Sequence, residues 1–506
     1  MSEKILAQST RVEKTRSALL PLLRRLHFYI GLFIGPFIFV AALTGTLYVL
    51  TPQLENALYA HQLFTSSNAP AKSLADQVRT AQNFVGPGIR IVAVRPAPTG
   101  GETTRVMFIT PESGPSESTA VFVDPATLEI RGMLPVYGTS GVLPLRTWLD
   151  YLHRNLLLGD IGRNYSELAA SWLWVAALGG VLLWATGRSS QTGRKARPGQ
   201  RQRHWHITLG LVLLAGLLFF SATGLTWSRW AGENISSMRA HFGWMTPAVN
   251  TELAPPAIQP VTEAMSAMPA MAMSGEHPQH AVPAGEHAEH HMPAGEHAEH
   301  HMPTDEHAEH HMHGTMPTAM VSITPAQFNG VIKAARNAGI SAEKIEIRPA
   351  WQADKAWTVS EIDRRWPTQV DSVAVDPQSF VVVDKVEFAQ FGLLAKLTRW
   401  GVDAHMGVLF GLPNQLLLAT FGMGLCVLII MGYRLWWQRR PAAGTGPNPA
   451  DTLLHSWRQL SLSTRFLLLV CTVALAFSLP VMGISLLVLL LIDALRWQRA
   501  IRITKN

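Results

Sequence analysis

The chain has 506 residues, enough for several domains, and its 48% hydrophobic but only 15% charged residues point to a membrane protein. A net charge of +7 is of the sign that suits nucleic acid, but the basic residues gather at the ends of apolar runs. Lys4, Arg11, Lys14, Arg16, Arg24 and Arg25 precede the first run, and a second cluster between Arg188 and Arg203 precedes the third, which is the positive-inside signature and excludes a nucleic-acid face.

Residues 1–25 read as a basic cytoplasmic lead to a first span at 26–50, retained as a helix because no small-residue cleavage site follows it. Residues 51–150 form an extracytoplasmic segment. Leu74 to Phe84 has helical periodicity ended by Gly86-Pro87-Gly88, and three strand-like runs follow at Ile89–Val94, Val106–Thr110 and Ala120–Asp124. A second span at 165–186 leads inward to the basic loop 187–205, and a third at 206–228 goes out again. The next soluble segment repeats the earlier order, with a helix at Pro325–Ala338 and strands at Lys344–Arg348, Ala356–Ile362 and Ser372–Val375, in a module at 319–400. A fourth span at 408–433 returns to Arg434, Arg439 and Arg440. The last apolar block, broken by Pro480 and Gly483, has basic residues at both ends and reads as a hairpin, 461–479 and 481–497. Cys426 and Cys471 lie inside apolar runs, so there is no disulfide framework.

Two offsets tie the halves together. His27, Gly31 and Thr44-Gly45 recur 179 positions later at His206, Gly210 and Thr223-Gly224. Asp124-Pro125, His153, Gly159, Gly180 and Leu183-Trp184 recur 252 positions later at Asp376-Pro377, His405, Gly411, Gly432 and Leu435-Trp436. The difference, 252 − 179 = 73, is an excess in the second half that matches a Pro-, Met- and His-rich insert at 247–318. The expected architecture is a membrane α-helical bundle: four core spans as two parallel repeats about an axis along the membrane normal, plus the C-terminal hairpin. Each repeat carries one small α+β module.

That symmetry pairs His27 with His206 near one membrane face and His153 with His405 near the other. Paired imidazoles from facing helices are how bundles hold b-type haem, and the small residues around them admit a flat macrocycle. A single interfacial histidine needs no cofactor to explain it; four matched by two independent offsets favour haem, in two copies. His61 and His241, 180 positions apart, are second-rank ligand candidates, and His204 competes with His206.

Residues 283–312 are three tandem decapeptides, PAGEHAEHHM twice and PTDEHAEHHM once, and twelve of the twenty histidines fall between His277 and His313. The tract lacks the apolar bulk for a core. Its candidate metal ligands are His287, His290, His291 and Met292, then His297, His300, His301 and Met302, then His307, His310, His311 and Met312. Imidazole with thioether tilts the metal toward copper over zinc or nickel.

The stretches LHFYIGLFIGPFIFVAALTG, VFVDPATLEIRG, LHRNLLLGDIG with GGVLLWATGR, HWHITLGLVLLAGLLFFSATG and SLPVMGISLLVLLLIDALRW together resemble the PepSY-associated transmembrane helix family, the bacterial iron-regulated membrane proteins. The resemblance implies PepSY-like soluble modules and an inner-membrane protein related to haem-containing ferric siderophore reductases, with His27, His153, His206 and His405 at the family's histidine positions. The His/Met insert departs from that pattern and leaves the substrate open between iron and copper. The chain has no GxGxxG, P-loop or CxxCH, so electrons would come from quinol or a partner protein. The expected function is transmembrane metal reduction. The alternatives are a non-enzymatic copper-binding membrane protein and a regulatory partner built on the PepSY modules.

Overall fold

The computed structural model describes residues 19–67, 69–114, 116–138, 140–187, 199–253, 321–440 and 451–505. The metal candidates His287 to Met312 lie outside these residues. Among them, four helices are long and apolar enough to cross a membrane: α1 (Leu19–Val49), α4 (Gly159–Gly187), α10 (Leu412–Arg439) and α13, apolar over Pro480–Ile503. A fifth candidate is the pair α5 (Gln200–Val212) and α6 (Leu214–Thr226), which meet at a bend of 57°. Lengths of 24 to 31 residues in the four long helices exceed the roughly 20 that a bilayer core demands.

One continuous helix was expected at 206–228, and the chain instead breaks at Leu213. Glycines at 210 and 216 flank the break, and the Phe421 ring lies so close to Gly216 that a Cβ there would come within 2.3 Å of it. The corresponding part of α1, Ile30–Ile34, is a π-helical turn, a form that interrupts the regular ladder. Both irregularities thus sit at one place in the 179-residue register.

α1 packs on α10 and α4, α4 on α6, and α5 on α10, which closes a four-membered bundle. Its core joins Ile30, Ile34, Trp172, Leu217 and Leu425. The C-terminal block is a hairpin of α12 (Leu462–Ser478) and α13: Arg458, ahead of α12, places its guanidinium 4.8 Å from the ring of Trp497, far along α13. Trp172 of α4 donates to Ser485 of α13 at 2.9 Å and fastens the hairpin to the bundle. A short helix, α11 (Leu453–Arg458), precedes it.

The strands form one antiparallel sheet in the order β4-β3-β2-β1-β5-β6-β7-β8. The strands are β1 (Arg90–Arg95), β2 (Thr104–Ile109), β3 (Glu117–Val123), β4 (Ile130–Tyr137), β5 (Ile345–Arg348), β6 (Trp357–Glu361), β7 (Ser372–Val375) and β8 (Val382–Val386). Two modules were expected; their strands join edge to edge through β1 and β5, which register at Val94 and Ile347. Helices α2 (Leu74–Val85) and α8 (Pro325–Asn337) pack together. They share a core with Val78, Phe328, Val331, Ile347 and Trp357. Ser73 caps α2 by accepting from the Asp76 backbone, and Thr324 with Gln327 forms a capping box on α8.

The outermost strands, β4 and β8, were not anticipated. β4 contains Gly132 and Pro135, and proline is tolerated only on an edge strand such as this one. β8 is partly exposed throughout, so it lacks the buried alternation that marks a strand. The turns before β4 and β8 match in detail. Asp124 Oδ1 accepts from the Ala126 N–H at 2.8 Å and Asp376 Oδ1 from the Gln378 N–H at 2.9 Å. Leu128 and Phe380, 252 positions apart, both take positive φ, at 66° and 56°.

Candidate functional site

Two amphipathic helices between the sheet and the bundle carry the site: α3 (Pro144–Asn155) and α9 (Leu393–His405). His153 lies in the last turn of α3 and His405 ends α9. Their imidazole rings lie side by side, with centroids 6.5 Å apart and planes at 39°.

Each ring is fixed by the helix behind it. Thr44 Oγ1 of α1 lies 3.0 Å from His153 Nδ1, and Thr223 Oγ1 of α6 lies 2.8 Å from His405 Nδ1. The residue after Thr44 must be small: a Cβ on Gly45 would come 3.0 Å from His153 Cε1. Tyr165 of α4 donates to the His153 carbonyl at 2.7 Å. His405 is boxed by Phe219, Phe220 and Trp227, with ring centroids 6.1, 5.7 and 5.6 Å away. Burial holds both histidines below their ordinary range, and His405, facing His153 as well, is lowered to about 3. Both are therefore neutral near pH 7, the form in which imidazole binds a metal.

A cavity of about 1500 Å³ opens over the pair. Its floor includes Gly45, Gly224 and Gly422, and its upper wall is the sheet, with Arg348 and Trp351. Beside His405, buried Asp403 is held by Arg364 at 2.6 Å and Arg399 at 3.4 Å. Burial raises the Asp403 carboxyl, and the two guanidiniums oppose the rise.

The other two histidines lie in the bundle, toward the end away from the sheet. His27 of α1 packs on α4, where a Cβ at Gly180 would be 3.4 Å from its Cε1. His206 of α5 packs on α10, where a Cβ at Gly432 would be 3.6 Å from its Cε1. His206 Nδ1 bonds the Leu428 carbonyl at 3.2 Å. His27 Nδ1 is buried without a well-formed hydrogen bond among the described residues, with the Ala176 backbone beside it. The two lie within electrostatic reach of each other.

The remaining candidates are not brought to either pair. His61 is exposed and bonds the Arg131 carbonyl at 2.9 Å, and His241, the last residue of α7 (Trp230–His241), stands edge-on to Phe242. His204 lies against Trp205. Sequence reasoning marked Thr44-Gly45 and Thr223-Gly224 as a recurring pair without a task. It did not find Tyr165, Phe219, Arg364, Arg399 or Asp403, which carry no repeated spacing.

Among the described residues no three His, Cys, Asp or Glu side chains converge as a metal-ion site, whereas a protein-bound metal ion commonly takes three or four such ligands. A metal macrocycle needs only two. A pair of imidazoles from facing helices is the donor set by which a bundle would hold a b-type macrocycle. The observed 6.5 Å, the glycine floor and the cavity fit that requirement.

No curated protein matches this chain. Among protein families, the PepSY-associated TM region matches residues 24–439, a stretch that runs from α1 to the end of α10 and includes all four histidines. The chain, a membrane protein with several apolar spanning helices and an antiparallel sheet, belongs to the PepSY-associated TM family.

Proposed function

We propose that this chain carries electrons across the bacterial inner membrane to a metal species in the extracytoplasmic space. His153 and His405 would hold one b-type haem, and His27 and His206 a second near the cytoplasmic face. When bound, haem supplies a reversible one-electron couple at its iron. The observation that carries this reading is the 6.5 Å imidazole pair under a cavity. The chain is read as two parallel repeats: the Thr–His and His–Gly contacts recur in both halves at the 179 and 252 offsets. In that frame both termini face the cytoplasm and the sheet, with one PepSY-like module from each half, faces outward.

The chain's own residues have definable tasks. The four histidines would supply nitrogen lone pairs. Phe219, Phe220 and Trp227 exclude water from His405. Arg364 and Arg399 face the cavity and leave the site a positive edge against anionic groups. The donor is quinol or a cytoplasmic redox protein, since the sequence has no nucleotide motif of its own. The substrate is a ferric siderophore or copper.

A second reading, a copper-binding membrane protein without electron transfer, draws support from the three decapeptides at 283–312. An optical spectrum separates the two. Electron transfer requires a dithionite-reduced b-type spectrum that His153→Ala and His405→Ala each diminish. A haem-free protein that still binds copper would leave the second reading standing.

A further inference from the structure

We infer that Thr44 and Thr223 are tautomer clamps: each accepts a hydrogen bond from Nδ1–H of its histidine and so presents the bare Nε2 of His153 and His405 as a ligand. The inference rests on the haem reading above and concerns residues that reading does not use.

A threonine hydroxyl has a single proton. Thr44 Oγ1 lies 2.8 Å from the carbonyl of Val40, four residues back in α1, and Thr223 Oγ1 lies 2.6 Å from that of Phe219 in α6. In an apolar helix the hydroxyl donates to such an i−4 carbonyl. Its proton is then spent, and what remains toward the histidine is a lone pair. The facing nitrogen, 3.0 Å away in one half and 2.8 Å in the other, must therefore bring the proton. A neutral imidazole with hydrogen on Nδ1 has its free lone pair on Nε2, at the opposite edge of the ring.

Two observations make this more than a local bond. It occurs twice, at positions 179 apart in threonine and 252 apart in histidine. And the residue after each threonine is glycine, Gly45 and Gly224; at Gly45 the His153 ring lies within 3.0 Å of where a Cβ would stand. A hydrogen bond to the distal nitrogen also raises the ligand's basicity, which favours the oxidised metal. Thr44 and Thr223 are thus positioning residues that act through His153 and His405.

The test compares Thr44→Val and Thr223→Val, which keep shape and remove the acceptor, with Thr44→Ser and Thr223→Ser, which keep the hydroxyl. Haem per chain, the rate of haem release to excess apomyoglobin and the midpoint potential are measured on the purified full-length protein. The Val variants should release haem from the sheet-side site about ten- to a hundredfold faster, the range for lost partners of metal-bound histidines, and shift its potential upward. The Ser variants should restore both. Val variants with wild-type release rate and potential overturn the clamp while leaving the haem reading intact. If a Val variant does not assemble, the Ser variant decides: wild-type haem content and potential uphold the clamp, and loss of either overturns it. A wild-type protein without haem overturns the haem reading itself, and the clamp with it.

Discussion

Gly45→Ala is a perturbation whose effects on the fold and on the site have opposite signs. The added Cβ would stand 3.0 Å from His153 Cε1, 3.4 Å from Nδ1 and 3.6 Å from Nε2. Carbon atoms settle at about 3.5–4.0 Å, so the ring must retreat by roughly 0.5 Å. That motion stretches the 3.0 Å bond to Thr44 to the limit of a useful hydrogen bond and costs about 1 kcal/mol. Replacing glycine inside a helix returns about 0.5–1 kcal/mol. The melting temperature should therefore stay nearly constant, while haem release from the sheet-side site rises about fivefold, the factor that 1 kcal/mol commands. Gly31→Ala is the control, since nothing lies within 4 Å of its Cβ position; it should leave the site untouched. Differential scanning fluorimetry and haem transfer to apomyoglobin read the two effects. Unchanged release in Gly45→Ala, or equal acceleration in Gly31→Ala, would refute the reasoning.

Other perturbations probe the scaffold. Glu346 of β5, buried at 4% exposure, takes Arg95 of β1 at 2.6 Å and Arg348 at 2.5 Å, and so bridges the two halves of the sheet where Val94 and Ile347 are the registered pair. Burial alone would raise its carboxyl, but the two guanidiniums outweigh it and hold it below the ordinary range. Its stabilisation is then present above the unfolded value of about 4.3 and is lost as pH falls through the lower folded value. Glu346→Gln should cost about 2–3 kcal/mol at neutral pH, below the usual figure for a broken buried pair because Arg348 reaches solvent, and should flatten the acid limb of the stability profile in chemical denaturation. Asp493 accepts from the Tyr29 hydroxyl at 2.6 Å and from the Leu453 and Leu454 N–H groups at 2.9 Å. Asp493→Ala should lower hairpin stability by about 3 kcal/mol or more, and Tyr29→Phe by less, as limited proteolysis of the C-terminal block would report. Deleting residues 277–313 should abolish binding of several copper ions in metal analysis while haem content stays at the wild-type value.

Much of the frame is legible in the sequence because hydrophobic length and basic flanks respond directly to the bilayer. The helices at Leu74 and Pro325 are also legible, since their apolar residues recur at helical spacing and breakers end them. The break at Leu213 is hidden because the apolar run continues through it and the close approach of the Phe421 ring to Gly216 is a tertiary contact. β4 and β8 are hidden because edge strands need not alternate. The joining of both modules into one sheet depends on Val94 meeting Ile347, more than 250 positions away. At the site, His153 and His405 stand out by spacing, yet their helices α3 and α9 do not, being short and amphipathic beside longer apolar runs. Thr44 and Thr223 are visible as a repeat, but their task follows only from the carbonyl on one side and the imidazole on the other.

The central claim is that the matched histidines hold haem, and a pyridine haemochrome assay with a dithionite-reduced minus oxidised spectrum, recorded on the purified protein and on His153→Ala, His405→Ala and His27→Ala, tests it most directly. The account predicts a low-spin b-type spectrum with two haems per chain in the wild type and about one in each variant. A wild type without haem, or variants whose spectrum and haem content are unchanged, would contradict it.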